Sequence, residues 1–267
     1  MGKITSFEQF LRRENYAENT VIAYKYTVRE FRERYKVLSR ENLLLYKAYL
    51  IDNFKPRTAN QRIRAINKYV AFVGNPELRI RGIKLPRVSF LDNVISNEDY
   101  LYFKKKLRDR SDLRWYFAVW FMAATGVRVS ELLQIRVEHV RAGFMDVYAK
   151  GGKMRRIFFP RRLREEAVPW LAEREGGPVF LNVNGQTITA RGLSKYLKVY
   201  AEEYGLNPGV VYPHSFRHLF AKNFLKKSND IVLLADLLGH ETIETTHIYL
   251  QRSSREQGNL INRLVDW

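Results

Sequence analysis

Helical periodicity runs through residues 6–74 of this chain, fades across residues 75–91 and resumes at residue 96. Before the break, Val21, Tyr24, Val28, Phe31 and Tyr35 step by three and four and so share one helical face. Ile63, Ile66, Tyr69, Val70 and Val73 do the same, with Gly74 as a natural stop. Between them, Ser39 is placed to cap a helix carrying Leu43, Leu44, Tyr46 and Leu50. Ser6 with Gln9, and Thr58 with Gln61, fit capping boxes and predict helix starts there. The break reads RIRGIKLPRV, with four basic residues, a glycine and a proline, the composition of an extended basic linker. A chain of 267 residues can fill two cores. The expected division is a helical domain over residues 1–84, a linker over 85–94 and a second domain over 95–267.

In the second part Ser96 and Asp99 predict a helix running to about residue 108. Residues 113–124, with Trp115, Phe117, Val119, Trp120 and Phe121, are apolar on every side and read as a buried helix. Thr125-Gly126 breaks it and VRVSELLQI starts another. Residues 144–150 and 155–159 read as two strands around a Gly-Gly-Lys-Met turn. Further helices are expected at about 161–174, 190–204, 215–227, 230–238 and 242–250. A tail from about residue 254 carries Leu260, Ile261, Leu264 and Trp267 on one apolar face. The fold class is mainly α with a small antiparallel β-sheet, in two domains.

Charge then narrows the partner. The 46 Lys and Arg against 28 Asp and Glu leave a formal +18, and residues 1–90 hold 19 basic against 8 acidic side chains. A polyanion accounts for such an excess, because each neutralised phosphate releases counterions. A basic protein without a special partner, or one lying on anionic membrane, would share the charge. On the fourth predicted helix Arg57, Gln61, Arg64 and Lys68 form a stripe with no acid interleaved, a DNA-facing surface or a solvated face. Lys84 and Arg87 continue the basic character into the linker. No run approaches the roughly 18 apolar residues of a membrane span, and the N-terminus lacks the apolar core of a signal peptide, so a cytoplasmic protein is expected. The absence of cysteine excludes disulfides and thiolate metal sites.

Several residues have the chemistry for phosphate. Arg128 follows the Thr-Gly break at a helix start, where backbone amides already favour an anion; an ordinary surface arginine would look the same. Lys150 ends a strand beside the Gly-Gly turn with Lys153, Arg155 and Arg156 close behind, a groove-reaching tip or a solubilising basic turn. His214 and Arg217 lie three apart on a helix that Pro213 helps to start. His218, four from His214, raises a two-histidine metal pair, but no glutamate, cysteine or third ligand completes it. His240 follows Leu-Leu-Gly, a place for a capping or structural histidine. Tyr249 is one of 16 tyrosines, and spacing alone does not select it.

Together these segments resemble one family, the tyrosine recombinases or phage integrases. TGVRVSELLQI is similar to its first arginine box, AKGGKMRR to its lysine hairpin, HSFRH to its His-x-x-Arg box and LLGHETIETTHIYL to its closing segment. The four stand in the family's order and spacing over about 120 residues of the second domain. Thr20, Tyr24 and Phe31 resemble a helix of the family's core-binding domain. Phe216 and Ala149 stand where leucine and glycine are more common, both as neighbours of the chemistry. The resemblance implies that residues 1–84 bind DNA and residues 95–267 are catalytic. Tyr249 would be the nucleophile forming a 3′-phosphotyrosyl link, with Arg128, Arg217 and His240 on the non-bridging oxygens. Lys150 would protonate the leaving 5′ oxygen, with Lys153 close by, and His214 would help accept the tyrosine proton. Glu131 would orient its neighbours. The link conserves phosphodiester energy, so no cofactor, neither ATP nor metal, is implied. The implied partners are double-stranded DNA and further copies of the chain, a dimer on each site and a tetramer at a Holliday junction, with no membrane. The tail would pack on a neighbouring protomer or fold back on its own domain. A type IB topoisomerase shares the catalytic set, and a DNA-binding accessory protein could share the fold without the activity.

Overall fold

A computed structural model describes residues 2–85, 93–110, 112–148, 154–240 and 245–246. The chain divides into two compact units, Met1–Arg87 and Val88–Trp267.

The first unit packs α1 (Gly2–Arg13), α2 (Glu18–Arg34), α3 (Arg40–Asn53) and α4 (Pro56–Phe72), followed by a 3-10 turn at Pro76–Leu78. The periodic residues make its core. Val21, Val28 and Phe31 of α2, Leu43, Tyr46 and Leu50 of α3, and Ile63, Ile66, Tyr69 and Val70 of α4 are all buried together. Each large side chain so buried contributes about 1.5–3 kcal/mol. Leu44 departs from its expected face and is 49% exposed. Ser39 caps α3, its hydroxyl accepting from the Asn42 amide at 3.2 Å.

The two capping boxes do not form. Helix α1 already begins at Gly2, which lets Ile4 pack against the core and leaves Ser6 inside the helix. Helix α4 is opened by Pro56, whose fixed φ suits the first helical position, so Thr58 falls within the first turn. The segment after α4 is extended and basic, as its composition suggests, but it is held. Asn60 accepts from the Ile83 amide at 2.7 Å and donates to its carbonyl at 2.8 Å. Asn67 makes the same pair with Ile80, both at 2.9 Å. Seven residues apart on α4, the two amides imitate a strand edge.

The second unit contains α5 (Asn97–Arg108), α6 (Arg114–Thr125), α7 (Val129–Leu132), α8 (Val137–Ala142), β1 (Phe144–Tyr148), β2 (Met154–Phe158), α9 (Arg161–Trp170), α10 (Ala190–Glu203), α11 (Pro213–Ser228) and α12 (Ile231–Leu238). Ser96 caps α5 by accepting from the Asp99 amide at 2.9 Å. Helix α6 is buried from Trp115 to Met122 and packs against α11, α5 and α9. It ends on Gly126 at φ 65°, where a Cβ would come within 2.5 Å of the Phe220 ring. Strands β1 and β2 pair antiparallel with Val147 opposite Arg155 and Met145 opposite Ile157. The buried Ser215 hydroxyl accepts from the Ile95 amide at 2.8 Å and pins the entry of the unit to α11. Among the described residues, no helix is long and apolar enough to cross a membrane.

Candidate active site

The site forms around the C-terminal end of α12. The last carbonyls of a helix lack intrahelical partners and carry the negative end of its dipole, so cations are favoured there. Three arginines take three successive carbonyls. Arg155 donates to Leu237 O, Arg217 to Leu238 O at 2.7 Å and Arg128 to Gly239 O at 3.1 Å. They arrive from β2, α11 and the start of α7, which are distant in sequence. The chain turns at Gly239 with φ 63°, and a Cβ there would lie 2.5 Å from both Cδ and Nε of Arg155. Glycine is therefore needed for conformation and for space.

Glu131 binds two of these arginines. Its carboxylate accepts from the Arg128 backbone amide at 2.7 Å, from Arg128 Nη1 at 2.9 Å and from Arg155 Nη2 at 2.7 Å. Burial pushes the Glu131 carboxyl upward, but the Arg128 amide and the two guanidiniums outweigh it and hold the pKa below the ordinary glutamate value. Arg217 is 4% exposed; besides Leu238 O it donates to Gly126 O at 2.6 Å, joining the ends of α6 and α12.

His240 completes the group. Its Nε2 lies 3.1 Å from Arg217 Nη2 and its Nδ1 lies 2.7 Å from the buried Thr246 hydroxyl. Burial first, and then the Arg217, Arg128 and Arg155 charges, push its pKa down to about 4. His214 opens to solvent on the first turn of α11; desolvation by its surroundings and the Arg217 and Arg128 charges lower its pKa too. His218 is pushed to about 4 by burial and by His214, Arg217 and Lys222. All three imidazoles are thus neutral at pH 7. Beside them runs a cleft of about 600 Å³ lined by Arg128, Glu131, Gln134, Tyr148, Gly239 and His240. Of the three guanidiniums gathered at the helix end, Arg128 lines this cleft beside the Glu131 and Asp146 carboxylates, the latter paired with Arg156, and arginine's planar fork suits phosphate.

The expected residues Arg128, Glu131, Arg217, His240 and His214 are therefore in one place. Lys150, Lys153 and Tyr249 lie outside the described residues, as do Arg87 and the tail from about residue 254. In the first unit Arg57 and Arg64 are exposed on α4, opposite its buried face, and Lys84 is exposed in the strapped segment. Lys68 is half-buried, 3.5 Å from Glu14 and over the Phe10 and Tyr16 rings. Among the described residues no group of three or more His, Cys, Asp or Glu side chains could hold a metal.

Residues 94–256 match the phage integrase family. The chain belongs to it. Tyrosine recombinase XerA of Pyrococcus furiosus is 30% identical, across 98% of this chain and 96% of its own length. The fold is similar to that of a lambda integrase (75–356) dimer bound to a COC' core site, with a TM-score of 0.75 at 18% identity over 96% of each chain. It is also similar to XerH site-specific recombinase bound to its difH substrate, with a TM-score of 0.71 at 20% identity over 97% of this chain and 84% of that one.

Sequence reasoning left out one residue of this tyrosine recombinase's site. Arg155 sits in a basic turn-and-strand run and reads there as solvated charge, yet it is only 7% exposed. The signal was in strand alternation: Met154, Arg156 and Phe158 face out, while Arg155, Ile157 and Phe159 face in. A guanidinium at an inward position needs buried acceptors, and the Glu131 carboxylate and the Leu237 carbonyl supply them.

Proposed function

We infer that this chain is a site-specific tyrosine recombinase that breaks and rejoins DNA strands, with the cleft beside α12 as the seat of the scissile phosphate. The observation that carries this reading is the convergence of Arg128, Arg217 and His240 on one helix end. Preorganised donors aimed at developing charge stabilise a transition state without reorganising during the step. Arg128 and Arg217 hold the two non-bridging oxygens as phosphorus becomes pentacovalent. Tyr249, three residues along the chain from Thr246, attacks phosphorus through its phenol oxygen. The bond to the 5′ oxygen breaks, and a 3′-phosphotyrosyl link remains. His214 accepts the phenol proton, and Lys150 gives a proton to the departing 5′ oxygen, with Lys153 beside it in sequence. His240 adds a donor to the same oxygens once Arg217 turns to the phosphate and the neutral ring carries its proton on Nε2 instead of Nδ1. The Thr246 hydroxyl can donate or accept, so it supports either imidazole tautomer.

Rejoining is the reverse attack by a 5′ hydroxyl, so the link stores the phosphodiester energy and neither ATP nor metal enters. Residues 1–84 serve as the core-binding domain, 85–94 as linker and 95–267 as the catalytic domain. Arg57, Arg64, Lys68, Lys84 and Arg87 meet the DNA backbone. Two copies occupy each site and four exchange strands through a Holliday junction, in the cytoplasm.

A nicked duplex library tests the reading directly, because loss of the short strand after cleavage traps the adduct. Wild-type protein without metal or ATP should give a denaturation-resistant protein–DNA adduct, and Tyr249→Phe should give none. Binding by both proteins without any adduct would leave a DNA-binding accessory protein, and an adduct with both would move the nucleophile to another tyrosine.

A further inference from the structure

We propose that Arg155 is a positioning residue that keeps Arg128 available to phosphate by sharing the Glu131 carboxylate. The proposal rests on the recombinase reading of the cleft. Glu131 is within hydrogen-bonding distance of Arg128 at two points, its amide and Nη1. Alone, that pair would close into a neutral unit, and the Arg128 fork would be occupied by its own acid. Arg155 changes the balance. It takes Glu131 Oε2 at 2.7 Å, so the three groups together carry one net positive charge. Arg128, a partly exposed side chain, is then left with Nη2 resting on the weaker, neutral acceptor Gly239 O at 3.1 Å. A carbonyl contact of that length yields readily to a phosphate oxygen, whereas a charged bidentate contact to a carboxylate does not.

Arg155 also fixes where this happens. It stands on β2 opposite Val147, donates to Leu237 O and lies against Gly239 with its stem. One side chain thus ties the hairpin, α7 and the end of α12 into a single frame. Displacement of such a frame by about 1 Å is enough to cost on the order of a hundredfold in rate. Neither role requires Arg155 to touch DNA.

The test measures single-turnover adduct formation on the nicked duplex, and DNA binding at the same salt, for wild type, R155M, R155K and the double variant E131Q/R155M. R155M should bind DNA within about threefold of wild type and cleave about thirtyfold more slowly or worse. The double variant should regain about tenfold over R155M, because the neutral amide no longer occupies Arg128. R155K should fall between, about tenfold slower than wild type, since an ammonium lacks the fork that spans Glu131 and Leu237. Thermal melts accompany each variant, and R155K carries the comparison if R155M does not fold. Cleavage by R155M or R155K within about threefold of wild type overturns the proposal. So does a double variant no faster than R155M, which would make Arg155 a prop for packing alone. Absence of adduct with wild type itself would instead count against the recombinase reading.

Discussion

Arg217 Nη2 lies 3.1 Å from His240 Nε2, and a guanidinium has only donors. Nε2 therefore carries its lone pair toward Arg217, and the ring proton sits on Nδ1, facing Thr246 Oγ at 2.7 Å. A pKa of about 4 keeps the ring in this neutral form through the physiological range. The protein thus holds His240 uncharged beside three arginines, which a protonated imidazole would repel.

Stability should depend on pH through this imidazole and His218. Both have folded pKa values of about 4, against 6.5 for an ordinary histidine. As pH falls below 6.5 the unfolded chain binds protons that the folded chain refuses. Stability is therefore full above pH 6.5 and is lost as pH falls toward 4. With allowance for partial exposure, the two rings together account for roughly 2–4 kcal/mol. Melting temperatures measured from pH 7 to pH 4 should decline already by pH 5.5, before Glu131 protonates. His218→Gln should flatten the decline; a melting temperature constant over that range would refute the assignment.

Gly239→Ala should destabilise the second unit far more than Gly185→Ala. Both glycines have positive φ, 63° and 74°, which costs an alanine about 1–2 kcal/mol. At Gly185 nothing lies within 4 Å of the added methyl, whereas at Gly239 it meets Arg155 Cδ and Nε at 2.5 Å. Overpacking adds about 1–3 kcal/mol. Urea midpoints compare the two directly, and equal shifts would mean that Arg155 yields without cost.

The contrast between Gly239 and its surroundings shows what could be read ahead of the structure. Local patterns were legible where one period dominated. Helix α6 has no charged residue after Arg114, so burial on all sides followed. The hairpin followed from two strand-like runs around a glycine turn. Long-range convergence has no local signature: Arg128 and Gly239 are 111 residues apart, Arg217 and His240 are 23 apart. Only the family's motif order brought them together on paper. The capping boxes at Ser6 and Thr58 failed because a core contact by Ile4 and a proline at Pro56 set the helix starts instead. Helix α8, with the sequence VEHVRA, is too short to show a period.

The strap on α4 makes a local prediction. Asn60 and Asn67 each exchange two hydrogen bonds with one residue, Ile83 and Ile80 respectively. Each bond contributes about 0.5–1.5 kcal/mol net. Asn60→Ala should speed amide exchange at Ile83, and Asn67→Ala at Ile80, by about tenfold or more. The amides of buried Val28 and Phe31 on α2 should keep their protection. If both substitutions loosen the entire unit equally, the strap is part of the core rather than a separable fastening.

The basic stripe on α4 can be separated from a solvated face by salt. Each phosphate contact contributes about 0.9 to the slope of log affinity against log salt. Arg57 and Arg64 are exposed on α4, so Arg57→Ala and Arg64→Ala should each lower the slope by about that amount. Lys68 differs, because its ammonium already has Glu14 at 3.5 Å and lies 5.0 Å and 5.3 Å from the Phe10 and Tyr16 ring centroids. Binding DNA with Lys68 means giving up part of that environment, so Lys68→Ala should change the slope less than either arginine. Filter binding across a salt series, with a duplex taken from the trapped adduct, measures all three. Unchanged slopes for both arginine variants would return the stripe to solvent and move the first unit's DNA contacts to another face.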